Sequence, residues 1–516
     1  MRGYAIALAA LATTANVKGQ GYGSTNGTSQ LDRFLQSIDV SPQAVHSSAR
    51  NAGGATLTCA ILSAINETQV LTPVEGSVYT TGADENWSAT AWASPTCIYV
   101  PTANDGVATA LKIVKYTNTQ FAVRGGGHSP NPNFANINNG LLISMDGFKH
   151  LHYDAATETQ RSGFGNRWGD IYKYLAQYER IIVAGRTADV GLGYTLGGGL
   201  SHLSNMYGWA AMSMISYEVV LANATVVTAS ATQHPDLFQA LKAGSNNFGI
   251  VTHVTQQTYP LGNVWGGSMA FPANASKDFM SALVQFQREG QLDQKTAILP
   301  YMAPMNDTIL VAFCYLDGVD HPSAFAPFYK LPILFDTTQV FDNFYELASL
   351  PLPVTVPRWV YGAVTMYLDD TAYKGLVDIV YEARTRAKTI EGGTLILTPQ
   401  PISLSMVEKS RELGRDPMGV TGEAQVWLLV QLGYDKASDD CAAQAIIEDA
   451  VSNVVSYAKS RGLWDQFIFL NDAGFYQDPL RSYGQSNFAL MRSAQRAYDP
   501  TSVFQTLLPG GFKLGT

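Results

Sequence analysis

The chain has 516 residues, of which 46% are hydrophobic and 15% charged, with a formal net charge of −9. This length suits two domains or one large one, and the composition suits a globular protein with a substantial core. The acidic balance argues against a nucleic-acid partner, and no apolar run reaches the about 18 residues needed to span a bilayer.

Residues 1–19 read as a secretory signal, with Arg2 as its positive end and 4–12 as its apolar core. Asn-x-Ser/Thr sequons at Asn26, Asn66, Asn86, Asn223, Asn274 and Asn306 support export as a glycoprotein. In an oxidising compartment Cys59 and Cys97 are expected to pair, whereas Cys314 and Cys441 read as free, buried thiols. The cysteines are too scattered for a zinc or iron–sulfur site, and no Asp/Glu/His cluster has metal-ligand spacing.

Residues 20–50 are rich in Gly, Ser, Thr and Asn, with one helix expected at 31–38. A second helix is expected at 56–65 and a short strand near 78–79. A strand at 97–101, a helix at 107–118 capped by Asn104 and a strand at 121–123 form a unit that favours a parallel pair. Then come a strand at 141–145, a helix at 169–178, a strand at 181–184, a hairpin of 217–221 with 225–228, a helix at 236–242 and a strand at 249–258. After Pro260 the strands (266–271, 308–315, 361–367, 394–399, 423–434) alternate with helices (276–289, 373–387, 442–461). That alternation suggests a separate α+β domain with one broad sheet. The tail holds a helix at 487–498, stopped by Asp499-Pro500.

The strand at 121–123 runs into Arg124-Gly125-Gly126-Gly127-His128-Ser129. Three glycines in a row let backbone press against a ligand, and successive N–H groups in such a turn make an anion cradle. Arg124 would add charge and His128 a nucleophilic imidazole. A second cluster follows at Gly185-Arg186-Thr187-Ala188-Asp189-Val190-Gly191-Leu192-Gly193-Tyr194-Thr195-Leu196-Gly197-Gly198-Gly199. Its glycine spacing breaks the Rossmann fingerprint at the third glycine, and no Gly-Lys-Ser/Thr marks a P-loop. The two clusters read as two walls of one non-Rossmann pyrophosphate site.

These clusters, followed by Asn247-Phe248-Gly249-Ile250-Val251-Thr252, resemble the berberine-bridge-enzyme-like flavoproteins of the vanillyl-alcohol-oxidase type, which carry a PCMH-type FAD-binding domain. The resemblance spans about Cys59 to Pro260 and resumes from about Trp464 to the end. It implies an α+β protein: a two-part FAD-binding domain at 51–260 completed by a returning segment at 464–516. Between them, at 261–463, it implies a substrate domain with one broad antiparallel sheet covered by helices. It also implies FAD held by Arg124, Gly125, Gly126, Gly127, His128, Ser129, Gly185, Thr187, Val190, Gly191, Gly193, Gly197, Gly198, Gly199, Ile250 and Asn487. His128 is the position that bonds the 8α carbon of the flavin. Many relatives add a second bond from a cysteine, but Thr187 stands at that position, so a single attachment is expected.

Catalytic groups are expected at Tyr483, Glu423 and Tyr361, with Arg358, Tyr367, Gln425 and Trp427 as further candidates. Strand alternation puts Glu423, Gln425 and Trp427 on one face. His202 is close enough in sequence to line the site, or else sits on a surface helix. The implied enzyme is a secreted FAD-linked oxidase using a small-molecule substrate and oxygen, with no membrane anchor once the leader is removed. A secondary-metabolite substrate is preferred over an oligosaccharide because the second flavin anchor is missing. A non-redox isomerase or cyclase that keeps FAD as scaffold is the alternative. Anaerobic bleaching of the flavin by substrate would separate the two.

Overall fold

A computed structural model describes residues 29–302, 308–351 and 356–516. The signal at 1–19 and the sequons at Asn26 and Asn306 lie outside these residues. The chain divides into two compact units, Met1–Ala44 and Val45–Thr516. The first holds a helix, Gln30–Ser37, capped by Ser29, whose hydroxyl accepts from the backbone of Asp32. Everything below concerns the second.

Its first sheet has four strands in the order Val70–Leu71, Cys97–Tyr99, Leu141–Ser144, Phe121–Arg124. Cys97–Tyr99 and Phe121–Arg124 are parallel, as expected, but they do not pair: Leu141–Ser144 lies between them. The intervening helix, Asn104–Thr117, starts with Asn104 itself rather than being capped by it. The Asn104 amide instead donates to Glu218 on another sheet, at 2.8 Å. Val78 and Tyr79 belong to a helix, Ser77–Ala83, and not to a strand. Burial of Tyr79, whose hydroxyl donates to the Pro95 carbonyl at 2.5 Å, overrides the strand preference of two adjacent residues.

A second, antiparallel sheet runs Leu151–Asp154, Thr159–Gly163, Ile250–Pro260, Met214–Val220, Val226–Ser230. Arg180–Ile182 pairs with the far end of Ile250–Pro260. The hairpin of Leu151–Asp154 with Thr159–Gly163 escapes sequence reading because its residues are polar and largely half-buried.

The third sheet has nine strands, all antiparallel, drawn from Val264–Pro272 through Trp464–Asp465. Four of them matter for the site: Thr296–Met302, Thr394–Ile402, Gln425–Tyr434 and Arg358–Tyr367, adjacent in that order. Pro300 interrupts the first and hides it from pattern reading. One face of this sheet presents Leu395, Leu397, Val426, Leu428, Val430 and Leu432 to an apolar core. Helices Ser276–Arg288, Asp370–Ala387 and Asp440–Ser460 close that core with Phe279, Leu376 and Ile447 among others. The alternate residues on these strands face the other way.

Cys59 and Cys97 are disulfide-bonded, closing a separation of 38 residues. Cys314 is a buried thiol, but Cys441 is exposed, in the first turn of its helix. Asn66, Asn223 and Asn274 are exposed, as a glycan acceptor requires. Asn86 is not: it is buried, and its Oδ1 accepts from Arg124 and Asn136. Its sequon is therefore structural in the folded protein.

Candidate active site

Phe121–Arg124 is a buried strand that ends in the three-glycine turn. Gly127 takes φ +64, a conformation that only glycine adopts readily. The two glycine loops then meet backbone to backbone. A Cβ on Gly126 would lie 2.5 Å from the nitrogen of Gly191, and one on Gly191 would run into Gly126 in return. Arg167 fastens the contact: its Nη1 donates to the carbonyls of Gly126 and Asp189, both at 2.6 Å. Among the described residues, the backbone N–H groups of Gly126, Gly127, His128 and Ser129 donate to no acceptor. Gly193 has open space where a Cβ would stand. A glycine-walled slot with free N–H groups fits a pyrophosphate.

Arg124 does not face this slot. Its guanidinium is buried behind the turn, donating to Glu85 at 2.8 Å and to Asn86 at 3.4 Å. It braces the segment that carries Trp87, whose N–H donates to the Gly127 carbonyl at 3.0 Å. Trp87 lies flat on the ring of His128, with centroids 4.7 Å apart and an angle of 13°. Trp87 also stacks on Trp359, at 5.5 Å. The Nε2 atom of His128 is 3.1 Å from Oδ2 of Asp189. Desolvation pushes the Asp189 carboxyl up, but its hydrogen bond and charge interaction with His128 outweigh this and hold it below the usual range.

A cavity of about 370 Å³ opens between the two glycine loops and the third sheet. Gly125, Gly126, Gly127, His128 and Ser129 line it on one side, joined by Gly185, Thr187, Val190, Gly191 and Gly193, and by Ile250 at the start of its strand. The opposite wall is the free face of the third sheet. Leu299 and Tyr301, Trp359 and Tyr361, Ile396 and Thr398, and Leu429 and Gln431 alternate along four adjacent strands. The tail closes one end with Leu470, Asn471 and Asp472, and another with Leu508, Gly511 and Phe512. Asn471 fixes that end by donating to the carbonyls of Tyr194 and Gly197 at 3.0 and 3.3 Å.

One polar chain crosses this apolar region. Arg186 donates to Gln400 at 2.5 Å, and the Gln400 amide donates to Asp472 at 2.6 Å. Burial pushes the Asp472 carboxyl up, and Arg186 and Gln400 offset only part of that rise. The Tyr361 phenol is driven well above its ordinary value by burial and by the nearby Asp472. Burial likewise pushes Tyr301 up to about 12.

Several expected site residues lie elsewhere. Glu423 is exposed ahead of its strand, outside the cavity lining. Gln425 and Trp427 share the cavity-facing parity but sit beyond its edge, where Trp427 stacks on Phe469 at 4.6 Å and donates to Gln425. Tyr483 is buried against Phe467 at 5.5 Å, outside the cavity lining, and burial raises its phenol pKa. Asn487 accepts from Arg415 and donates to the Asp416 carbonyl, outside the cavity lining. Gly197, Gly198 and Gly199 make room for protein: Asn471, Met418 and Ala210 crowd the positions their Cβ atoms would take. Arg358 pairs with Asp440 at 2.8 Å, and Tyr367 donates to Asp465 at 2.5 Å. His202 is neither in the lining nor at the surface. It is buried beside Phe344 at 6.0 Å, with its pKa lowered to about 3 by burial and then by the charge of Arg186.

A family model described as an FAD binding domain matches residues 95–230, the span that contains both glycine loops. Bifunctional solanapyrone synthase from Alternaria solani is 47% identical over 514 residues, covering 100% of both chains. The chain belongs to the berberine-bridge-enzyme-like FAD-linked oxidoreductases. Solved structures of this group share the fold. 6-Hydroxy-D-nicotine oxidase from Arthrobacter nicotinovorans has a TM-score of 0.70 at 19% identity, covering 84% of this chain and 96% of that one. Glucooligosaccharide oxidase from Acremonium strictum, which carries 6-S-cysteinyl, 8α-N1-histidyl FAD, also scores 0.70 at 17% identity, covering 88% and 97%. The protein is thus an FAD-linked oxidoreductase of mixed α and β architecture.

Sequence reading missed Arg167, Trp87, Asp189, Asp472, Tyr301 and Trp359. Asp189 stood inside the second glycine cluster, so its position was visible though its partner was not. Asp472 and Tyr301 carry no local signal, because only the tertiary fold brings them to the cavity.

Proposed function

We propose that this enzyme is a secreted oxidase of an apolar small molecule of secondary metabolism, with FAD attached once, through Nδ1 of His128. The observation that carries the substrate class is the sheet wall. Leu299, Ile396 and Leu429, with the rings of Tyr301, Trp359 and Tyr361, face the glycine loops across the cavity, a mainly aliphatic and aromatic surface whose polar groups are the two phenols, the Trp359 indole, Thr398 and Gln431. An oligosaccharide would need many such groups, because each buried sugar hydroxyl left unpaired costs about 1–3 kcal/mol. The 47% identity to a solanapyrone synthase supports the same direction. Thr187, a residue without a thiol, supports the single attachment. Secretion rests on the leader at 1–19 and on the exposed sequons.

The flavin would supply hydride acceptance from a substrate carbon and return of the electrons to oxygen as hydrogen peroxide. The chain's own part is to orient and to move a proton. Asp472, ionised, accepts the hydroxyl proton of the substrate, while Gln400 and Arg186 hold the carboxylate in place. Tyr361, which keeps its proton, donates a hydrogen bond to the same oxygen. Trp87, Trp359 and the aliphatic wall exclude water.

The test is anaerobic mixing of the purified enzyme with a panel of apolar allylic and benzylic alcohols and, separately, with cello-oligosaccharides. Bleaching of the blue flavin absorbance by apolar alcohols, with peroxide released on admitting air, is the expected result. Bleaching by the sugars alone would overturn the substrate class. Turnover without bleaching would overturn the oxidase.

A further inference from the structure

We infer that Asp189 is a positioning residue for covalent attachment of the flavin: its carboxylate engages the Nε2–H of His128 and so presents Nδ1 as the nucleophile. This rests on the proposal that His128 carries the flavin. Imidazole is nucleophilic only at the nitrogen that lacks a proton, and the partner of one ring nitrogen decides which nitrogen that is. Here Nε2 is 3.1 Å from Oδ2 of Asp189, and Nδ1 has no hydrogen bond among the described residues. The carboxylate acts only on the ionised side of its titration, and the same contact keeps Asp189 ionised.

Three further observations separate this pair from an ordinary surface contact, which would be worth little. The imidazole cannot swing freely, because Trp87 covers its face at 4.7 Å and 13°. The Asp189 backbone is held by Arg167, whose Nη1 also holds Gly126, two residues before His128. One guanidinium therefore fixes both partners to each other. Finally, Thr187 and Asp189 lie on one loop that lines or borders the cavity, facing the loop of His128.

The step balances as follows. The bond between Nδ1 and the flavin 8α carbon forms, and one C–H bond of the 8α methyl group breaks. The Nε2 proton passes through the Asp189 carboxylate to water, which reaches it because that side chain is half-exposed. The methyl group and the imidazole together lose two protons and two electrons. Dioxygen takes both electrons and becomes hydrogen peroxide.

The experiment uses the full chain produced without riboflavin, then given FAD in air. Covalent flavin is read as fluorescence that stays with the protein band after denaturing electrophoresis, and non-covalent FAD as the yellow colour that survives native gel filtration. The variants are Asp189→Ala, Asp189→Asn, Asp189→Glu and His128→Ala. The expected result is that Asp189→Ala and Asp189→Asn still bind FAD natively but label about 10–100-fold more slowly than wild type. That is the size of loss when the orienting partner of a metal-bound histidine is removed. Asp189→Glu should restore part of the rate. Labelling of Asp189→Ala and Asp189→Asn at the wild-type rate, with His128→Ala unlabelled, would overturn this inference alone. An unlabelled wild type, or a labelled His128→Ala, would instead overturn the attachment reading on which it rests.

Discussion

At position 472 a carboxyl sits among apolar side chains, with one amide donor and a guanidinium beyond it. Burial raises its pKa, so the proton leaves it at a higher pH than from an ordinary aspartate. The ionised form is the proton acceptor in the proposed reaction. Activity should therefore fall as pH drops through a value above the ordinary carboxylate range, and the Asp472→Asn enzyme should lack that limb. Its kcat should drop by about 10²–10⁴-fold while FAD stays bound. An unchanged kcat would remove Asp472 from the mechanism.

His202 makes a second prediction at the same scale. Its imidazole stays neutral in the fold down to about pH 3. In the unfolded chain it takes up a proton near pH 6.5. Between those values the unfolded state binds one more proton, so stability falls as pH falls through this window, by up to about 1.4 kcal/mol per unit. Above pH 6.5 the penalty is absent. His202→Phe should flatten the dependence of the urea midpoint on pH from 6 to 4 relative to wild type. Parallel curves for the two proteins would contradict this.

Among the elements, the two glycine loops meet backbone to backbone at the cavity. A methyl group on Gly191 has nowhere to go, because the nitrogen and Cα of Gly126 lie 2.4 and 2.6 Å from where its Cβ would stand. Gly191→Ala should separate the loops, lower stability by about 1–3 kcal/mol and weaken FAD retention. Thermal unfolding and native gel filtration check both effects. Gly193→Ala, where the Cβ meets open space, should cost far less stability.

Strand alternation was legible in the sequence, and it assigned the right parity to Gln425–Tyr434. Its limit was distance along the strand. Leu429 and Gln431, not Glu423 and Gln425, reach the cavity, because a periodic pattern says which face a residue takes and nothing about where a ligand lies on that face. Thr296–Met302 stayed hidden because its proline reads as a break, although this strand supplies Leu299 and Tyr301 to the wall.

At the scale of the whole molecule, the cavity is assembled from segments as distant as Trp87 and Phe512. The glycine loops could be read from sequence because their chemistry is local: adjacent residues make the turn, and their spacing carries the resemblance. The place of Arg124 beside the glycines points to a cofactor contact, yet an ion pair with Glu85 takes its charge. No local pattern encodes that partner, which comes from another segment. The resemblance places Tyr483 and Asn487 of the returning tail at the site. The tail does return, but through Leu470, Asn471 and Asp472 and through Leu508, Gly511 and Phe512.

The most direct measurement is mass spectrometry of peptides from the mature protein, digested after acid denaturation. The peptide containing His128 should carry the mass of one flavin group, and the peptide containing Thr187 should carry none. An unmodified His128 peptide, with all the flavin free in the supernatant, would contradict the account.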